Sequence, residues 1–366
     1  MNELEREIAD RIAESGAITF CEFMRLALYH PGFGYYSKSV RIGKAGGDFY
    51  TNADVHPLFG AAVADAIAGY LDLLPSNRNK RIIEYGAGNG KLAFDILVAL
   101  EADHASVLRS IDYVIVEQSH LAVQHQRQIL TRFPQVKWAT AGELGAEPLG
   151  SVVLSNELID AFPVHRVRLH EGDLQEQFAG RDDQHFVSEW LKPSSSEIRR
   201  YIEENQIELV SDQIVEVNLE ARKWLEQVSE IIDNGFLITI DYGDVAKRLY
   251  TLKRMQGSLR CFSSHKLNDD PFSNLGQQDI TASVNFTDLV TYGAAVGFEK
   301  LELTNQSDWL VHNGLITRAE KLESALRANG DGVAIIECRQ ALKDLLVPGG
   351  ISDNFKVLVQ RKVRQP

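Results

Sequence analysis

Arg81-Ile82-Ile83-Glu84-Tyr85-Gly86-Ala87-Gly88-Asn89-Gly90-Lys91 is a short apolar run ending in an acid, then a turn with glycine at every second position, then the start of a helix. Leu92, Ile96, Leu97 and Leu100 carry the helical spacing on to Glu101. Strand, glycine turn and helix make the opening unit of a parallel sheet. Working outward, residues 111–116 form a second strand followed by Glu117, and a helix over about 120–132 leads to a strand at 136–139. Further strands are predicted at 151–154, at 235–240 ahead of Asp241-Tyr242-Gly243, at 298–303 and at 355–359. The alternation predicts an α/β fold.

The chain of 366 residues, 44% hydrophobic and 24% charged, can bury a sizeable core, which excludes disordered, collagen-like and disulfide-scaffold classes. Its net charge of −13 makes a nucleic acid an unlikely partner and a cationic one reasonable. Cys21, Cys261 and Cys338 stand far apart without a C-x-x-C pair, and no histidine and carboxylate spacing forms a metal site. The Glu-rich start has neither the apolar core of a signal peptide nor the acid-poor composition of a mitochondrial presequence. No stretch is apolar enough for long enough to insert in a membrane, so the expected location is a bacterial cytoplasm.

Other segments break the alternation. Ile8 and Ile12, then Phe20, Phe23, Met24 and Ala27, predict two short helices split at Ser15-Gly16, with Thr19 as an N-cap. Residues 29–60 are rich in glycine and aromatics, and residues 58–74 return to helical spacing. Residues 164–192 read as an antiparallel meander around turns at 171–173 and 180–183. Residues 244–287 are turn-rich, as lids and binding surfaces are. The expected division is an N-terminal helical and covering segment (1–75), a core (76–163, 205–243 and 296–366), a meander insertion (164–204) and a lid or substrate insertion (244–295).

A glycine turn of this kind lets a ligand approach backbone N–H groups at a helix N-terminus. A P-loop would need Gly at 85 and Ser or Thr at 92, where Tyr85 and Leu92 stand. A dinucleotide fingerprint starting at Gly86 wants its third glycine at Lys91, which disfavours a dehydrogenase. The form E-x-G-x-G-x-G over 84–90 resembles the first motif of class I S-adenosylmethionine-dependent methyltransferases. That cofactor has no diphosphate to neutralise. Gly86, Gly88 and Gly90 would cradle it, Glu84 would meet its ammonium directly or through water, and Glu117 would accept from both ribose hydroxyls. The plainer readings are a turn-capping Glu84 and a solvated Glu117; glycines, acid and further strands in register favour the cofactor.

Four segments resemble the mitochondrial dysfunction protein A family, which includes the complex I assembly factor that is a protein arginine methyltransferase. They are HPGFGYYS with GGDFYTNADVHPLFG (30–60), EYGAGNGKLA (84–93), SNELIDAFPVHRV (155–167), and GSLRCFSSH followed by DPFSNLGQQDITASVNFTDL (257–289). The resemblance implies a class I methyltransferase, Rossmann-like seven-stranded sheet with an N-terminal helical extension and an inserted substrate lobe. It also implies S-adenosylmethionine as cofactor, with Asp48 or Thr51 meeting the amino-acid end, and methylation of an arginine, on a respiratory complex I subunit in the mitochondrial members.

Arginine is always protonated, so such a site must hold the guanidinium with carboxylates and later accept a proton. Glu157 is expected to clamp it, Asn156 to orient it or contact the cofactor, and Asp160 to clamp or support, with turn-capping as the alternative for Asp160. His265, beside Asp269 and Asp270, is a candidate proton acceptor. The pairs Asp279/Thr281 and Asn285/Thr287 either line a substrate groove or cap the following helix. The expected partner is therefore a protein presenting an arginine, and a homodimer is left open. Two other classes stay in view: a non-catalytic S-adenosylmethionine-binding assembly factor, and a small-molecule methyltransferase.

Overall fold

The computed structural model describes residues 1–38, 56–75, 79–145, 150–183, 185–263, 266–347 and 354–363. Its main sheet is built from β1 (Lys80–Tyr85), β2 (Ile111–Val116), β3 (Val136–Ala139), β4 (Gly150–Asn156), β5 (Asn234–Asp244), β6 (Glu299–Asn305) and β7 (Phe355–Val363). These run in the order β6-β7-β5-β4-β1-β2-β3. The first five are parallel to one another, while β7 lies antiparallel to both β5 and β6. The sheet has an eighth strand that the periodicity could not reveal, because Val284–Asn285 is a two-residue pairing against the end of β5.

Alternation along the strands sends side chains to two cores, as a sheet covered on both faces requires. Ile82, Tyr113, Ile115, Val152, Leu154, Ile238 and Val357 pack on one face. They meet the helices Pro57–Asp72 and Lys91–Asp103, together with Trp309, Leu310 and Leu315. Ile83, Val114, Val116, Val153, Leu237 and Leu358 face the other way, onto the helices Leu219–Ile231 and Phe286–Ala295.

The N-terminal helices, α1 (Glu3–Ser15) and α2 (Phe20–Tyr29), belong to a third core shared with Val164, Ala179, Cys261, Leu275 and Ile280. Thr19 caps α2, accepting a hydrogen bond from the amide of Glu22 at 3.1 Å. Beside them a five-stranded sheet joins Ile18–Thr19, Asp173–Asp182, His165–His170, Ile214–Val217 and His185–Leu191. The expected turn at 180–183 is corrected here. Gly180 and Arg181 lie within a strand, paired with Val187 and Phe186, and a Cβ on Gly180 would sit 1.8 Å from Glu189 Oε1. Glycine is there to let another side chain cross the strand. A three-stranded sheet of Lys266–Asn268, Arg260–Ser263 and Asp279–Thr281 completes this side of the molecule.

Between β6 and β7 the chain forms helices Gln306–His312, Leu315–Ala328 and Gly332–Leu346, which the sequence pattern did not reveal. Their apolar stripes are thin, with Val333 and Ile336 about 70% exposed. Arg318 ties this addition to the core through Asp65, its Nη2 2.6 Å from Oδ1.

Under the helix Phe286–Ala295, Arg222 and Asp288 form a buried ion pair with Nη2 to Oδ1 at 2.5 Å. Asn205 Nδ2 also donates to that oxygen, at 2.7 Å. Burial raises the Asp288 carboxyl despite Arg222, while Asp288 and Glu204 together more than offset the effect of burial on the Arg222 guanidinium. The pair thus roughly cancels its own desolvation, but removing Asp288 leaves the buried Arg222 to the more exposed Glu204, 2.8 Å away. Asp288→Ala is expected to destabilise the fold by about 3–5 kcal/mol in urea titration, and an effect below about 1 kcal/mol would show that the arginine is rehydrated.

Candidate active site

Parallel register aligns the carboxyl ends of the central strands. Glu84 lies opposite Leu154 and Ile115, and Asn156 lies opposite Ile240. Glu84, Asn156 and Asp241 therefore end up at one edge of the sheet, where open α/β sheets bind ligands. A cleft of about 210 Å³ lies there, its wall including Glu84, Gly86, Gly88, Asn156, Glu157 and Asp160.

The turn after β1 has left-handed backbone at all three alternate glycines, with φ of 67° at Gly86, 54° at Gly88 and 78° at Gly90. A Cβ on Gly86 would meet Leu158 Cδ1 at 2.7 Å. Gly90 is the N-cap of the helix Lys91–Asp103 and supplies no side chain to satisfy its first amides. The Gly86 amide donates to the Val116 carbonyl at 3.0 Å, fixing the turn against β2. Gln126, which sequence reasoning missed, is fully buried and donates from Nε2 to Gly88 O at 2.9 Å and to Glu117 Oε2 at 3.2 Å. Trp138 in turn donates to Gln126 Oε1 at 2.9 Å.

Glu117 Oε1 accepts from the amides of Gln118 and Ser119 at 2.9 and 3.0 Å. Burial raises its carboxyl. It stands beside Gly88 and, like Gly90, is outside the set of residues lining the cleft. Glu84 is 2% exposed, accepts from Tyr113 Oη at 2.8 Å, and is pushed by burial to about 7.

The acidic loop after β4 is held from below by Asp241. Its Oδ2 accepts from the amides of Leu158 and Ile159 at 3.2 and 2.8 Å, and its Oδ1 accepts from the Tyr242 amide at 2.8 Å. Burial pushes Asp241 to about 7 despite these bonds. Glu157 takes a left-handed φ of 50°, a conformation non-glycine residues adopt where the surroundings impose it. Asn156 Nδ2 donates to Glu157 Oε1 at 3.2 Å, while the buried Asn156 Oδ1 has no partner among the described residues. Asp160 is raised well above the ordinary carboxyl range, first by burial and then by the charges of Asp241, Glu157 and Asp279.

The opposite wall comes from the second lobe. Tyr36 and Asp279 line the cleft, Tyr36 Oη donating to Asp279 Oδ1 at 2.7 Å. Tyr29, at the end of α2, donates to the Ala161 carbonyl at 2.9 Å. Tyr242, Phe262 and Phe355 add apolar faces, and the Arg260 guanidinium, also in the wall, lies 4.8 Å from the Tyr242 ring centre. Asp279 and Thr281 thus reach the groove, whereas Asn285 caps the next helix, accepting from the Thr287 amide at 3.0 Å. Asp48, Thr51 and His265 lie outside the described residues. No group of three or more potential metal ligands occurs among the described residues. No helix there is long and apolar enough to cross a membrane.

A family model described as "Putative S-adenosyl-L-methionine-dependent methyltransferase" matches residues 62–304. The chain belongs to this family. A protein from Burkholderia thailandensis, solved bound to S-adenosyl-homocysteine, superimposes with a TM-score of 0.88 at 28% identity, covering 99% of this chain and 92% of that one. The mitochondrial protein arginine methyltransferase NDUFAF7 homolog of Drosophila melanogaster is 28% identical over 312 residues, 77% of this chain and 68% of that protein. The Homo sapiens NDUFAF7 is 27% identical over 310 residues, 77% of this chain and 67% of that protein.

This methyltransferase uses S-adenosylmethionine, and its cleft fits that cofactor. A Cβ on Gly86 would crowd Leu158, Asn156 Oδ1, without a partner among the described residues, can take an N–H donor, and a buried Glu84 gains by meeting an ammonium. Gly86→Val is expected to weaken S-adenosylhomocysteine binding more than about tenfold in calorimetry, because a branched side chain meets Leu158 at a left-handed φ; wild-type affinity would show that the turn can shift aside. Glu84 is ionised above about 7 and protonated below it. Affinity is therefore expected to fall as pH drops from 8 to about 6, with the dependence absent in Glu84→Gln; a flat profile in the native protein would remove Glu84 from ammonium binding.

Proposed function

We propose that the protein transfers a methyl group to an arginine side chain of a protein partner. The observation that carries this reading is the concentration of carboxylates: Glu157, Asp160 and Asp279 share one cleft, and burial and mutual repulsion raise Asp160. A planar cation relieves that repulsion and is recognised by paired carboxylates. The arginine methyltransferase names of the Drosophila melanogaster and Homo sapiens relatives support the same substrate class.

When bound, S-adenosylmethionine supplies a methyl carbon on a sulfonium. The protein's part is alignment and exclusion of water. Glu157, held in its unusual backbone conformation above the Asp241 brace, and Asp279, oriented by Tyr36, grip the guanidinium from opposite walls. Asn156, adjoining Glu157, sets the angle of approach. As the guanidinium nitrogen gains the methyl it gives up a proton, and Asp160, kept ionised by the bound guanidinium and made a stronger base by burial, accepts it.

Purified protein, S-adenosylmethionine and a proteome from cells lacking the enzyme, followed by mass spectrometry for methylarginine, test this directly. Glu157→Gln is expected to lower methyl transfer about a hundredfold, equivalent to about 2.7 kcal/mol, while S-adenosylhomocysteine binding persists. Methylation of a small molecule instead, or unchanged transfer by Glu157→Gln, would overturn the assignment.

A further inference from the structure

Four carboxylates, Glu84, Glu157, Asp160 and Asp279, stand in the cleft wall, and among the described residues there Arg260 is the one cation. Glu84 and Asp279 are buried, whereas Arg260 is exposed to solvent. It therefore belongs to the mouth. Its guanidinium makes no hydrogen bond or ion pair among the described residues and rests over the Tyr242 ring. That ring is a fixed platform. The Tyr242 amide donates to Asp241 Oδ1 at 2.8 Å, and its ring meets Phe355 edge-on, centres 5.9 Å apart at 78°. An aromatic face attracts the charge but takes up none of the N–H donors, so the planar fork stays open to an acceptor. A carboxylate is the group that such a fork grips bidentately.

The small sheet sets the spacing between this cation and the acids. Arg260 pairs with Thr281, and Phe262 pairs with Asp279. Paired and alternate positions share a face, which makes Arg260 and Asp279 diagonal neighbours about 7–8 Å apart at their backbones. Two residues of extended chain cover about 7 Å. A segment whose arginine is gripped at Asp279 thus carries its nearest neighbours past Arg260.

The cofactor also has a carboxylate, but it is bonded to the same carbon as the ammonium that Glu84 is placed to meet. Glu84 is level with Leu154 and, through it, with Ile238 on β5. Tyr242, which carries Arg260, lies further along β5 than Ile238 and two strands away from β1, about 10 Å by strand spacing. The acceptor is the nearer source.

We propose that Arg260 is a specificity-determining residue that binds the carboxylate of an acidic residue within two positions of the target arginine. This rests on the arginine reading above and names the kind of segment it takes. The inner acids receive the guanidinium while the cation at the mouth receives the neighbouring acid, so each charge of the segment meets its opposite. A second basic residue beside the target would instead face Arg260 and be repelled.

The test uses synthetic peptides with a single target arginine and otherwise uncharged residues, placing glutamate, glutamine or lysine at each of the two positions on either side. Methylarginine is followed by mass spectrometry with S-adenosylmethionine and the full-length protein, and kcat and KM are obtained for each peptide. At the best position glutamate is expected to outperform glutamine about tenfold, the scale of a charge-assisted hydrogen bond, mostly through KM. Lysine is expected to be the poorest. The glutamate advantage is expected to vanish in Arg260→Gln and to turn into a lysine advantage in Arg260→Glu, with S-adenosylhomocysteine affinity unchanged in both. No glutamate advantage at any position, or the same advantage in Arg260→Gln, would overturn the proposal. So would lost S-adenosylhomocysteine affinity in Arg260→Gln with an unchanged urea midpoint, which would give Arg260 to the cofactor's carboxylate. Methylation of no peptide would also overturn it, since adjoining residues would then not suffice for recognition, and the proteome assay above shows separately whether the arginine reading survives.

Discussion

The register of the parallel strands is the constraint from which the site follows. Because Glu84 pairs opposite Leu154, and Asn156 opposite Ile240, an acid, an amide and the Asp241 carboxylate finish at one level. A slip of one residue would turn each strand's side chains to the other face and dissolve both cores. The hydrophobic alternation that stabilises the sheet therefore also fixes where the polar residues end.

At that edge the molecule accumulates negative charge in poorly solvated places. Glu84 and Asp241 are both pushed to about 7 by burial. Such groups are costly to keep ionised, and raised carboxyls make a fold bind extra protons and lose stability as pH rises through their titration range. Tyr113 and the amides of Leu158, Ile159 and Tyr242 offset part of that cost. What they leave uncompensated favours a positively charged ligand, which both the cofactor's ammonium and the proposed guanidinium supply.

The second lobe gives the cleft its other wall. Tyr29 at the end of α2 is bonded to the loop that follows Asp160, and Tyr36 is bonded to Asp279 from the three-stranded sheet. The N-terminal helices and the insertions share one core, so segments far apart in the chain act there as one piece.

Much of the catalytic edge was legible in the sequence because its signals are local. Glycines at 86, 88 and 90 after an apolar run, and strands with simple apolar patterns, carry their meaning over a few residues. The helices of residues 306–346 were hidden because much of their surface stays exposed and their apolar period is weak. Strand Ile214–Val217 and the strand position of Gly180 depend on partners distant in sequence. The same holds for Gln126, Asp241 and Tyr36, whose importance lies in hydrogen bonds across the fold. By itself the sequence determined the α/β alternation and the glycine turn, since both arise from neighbouring residues and backbone sterics. Only the tertiary structure decided which carboxylates share a cleft, because desolvation and charge coupling act through space.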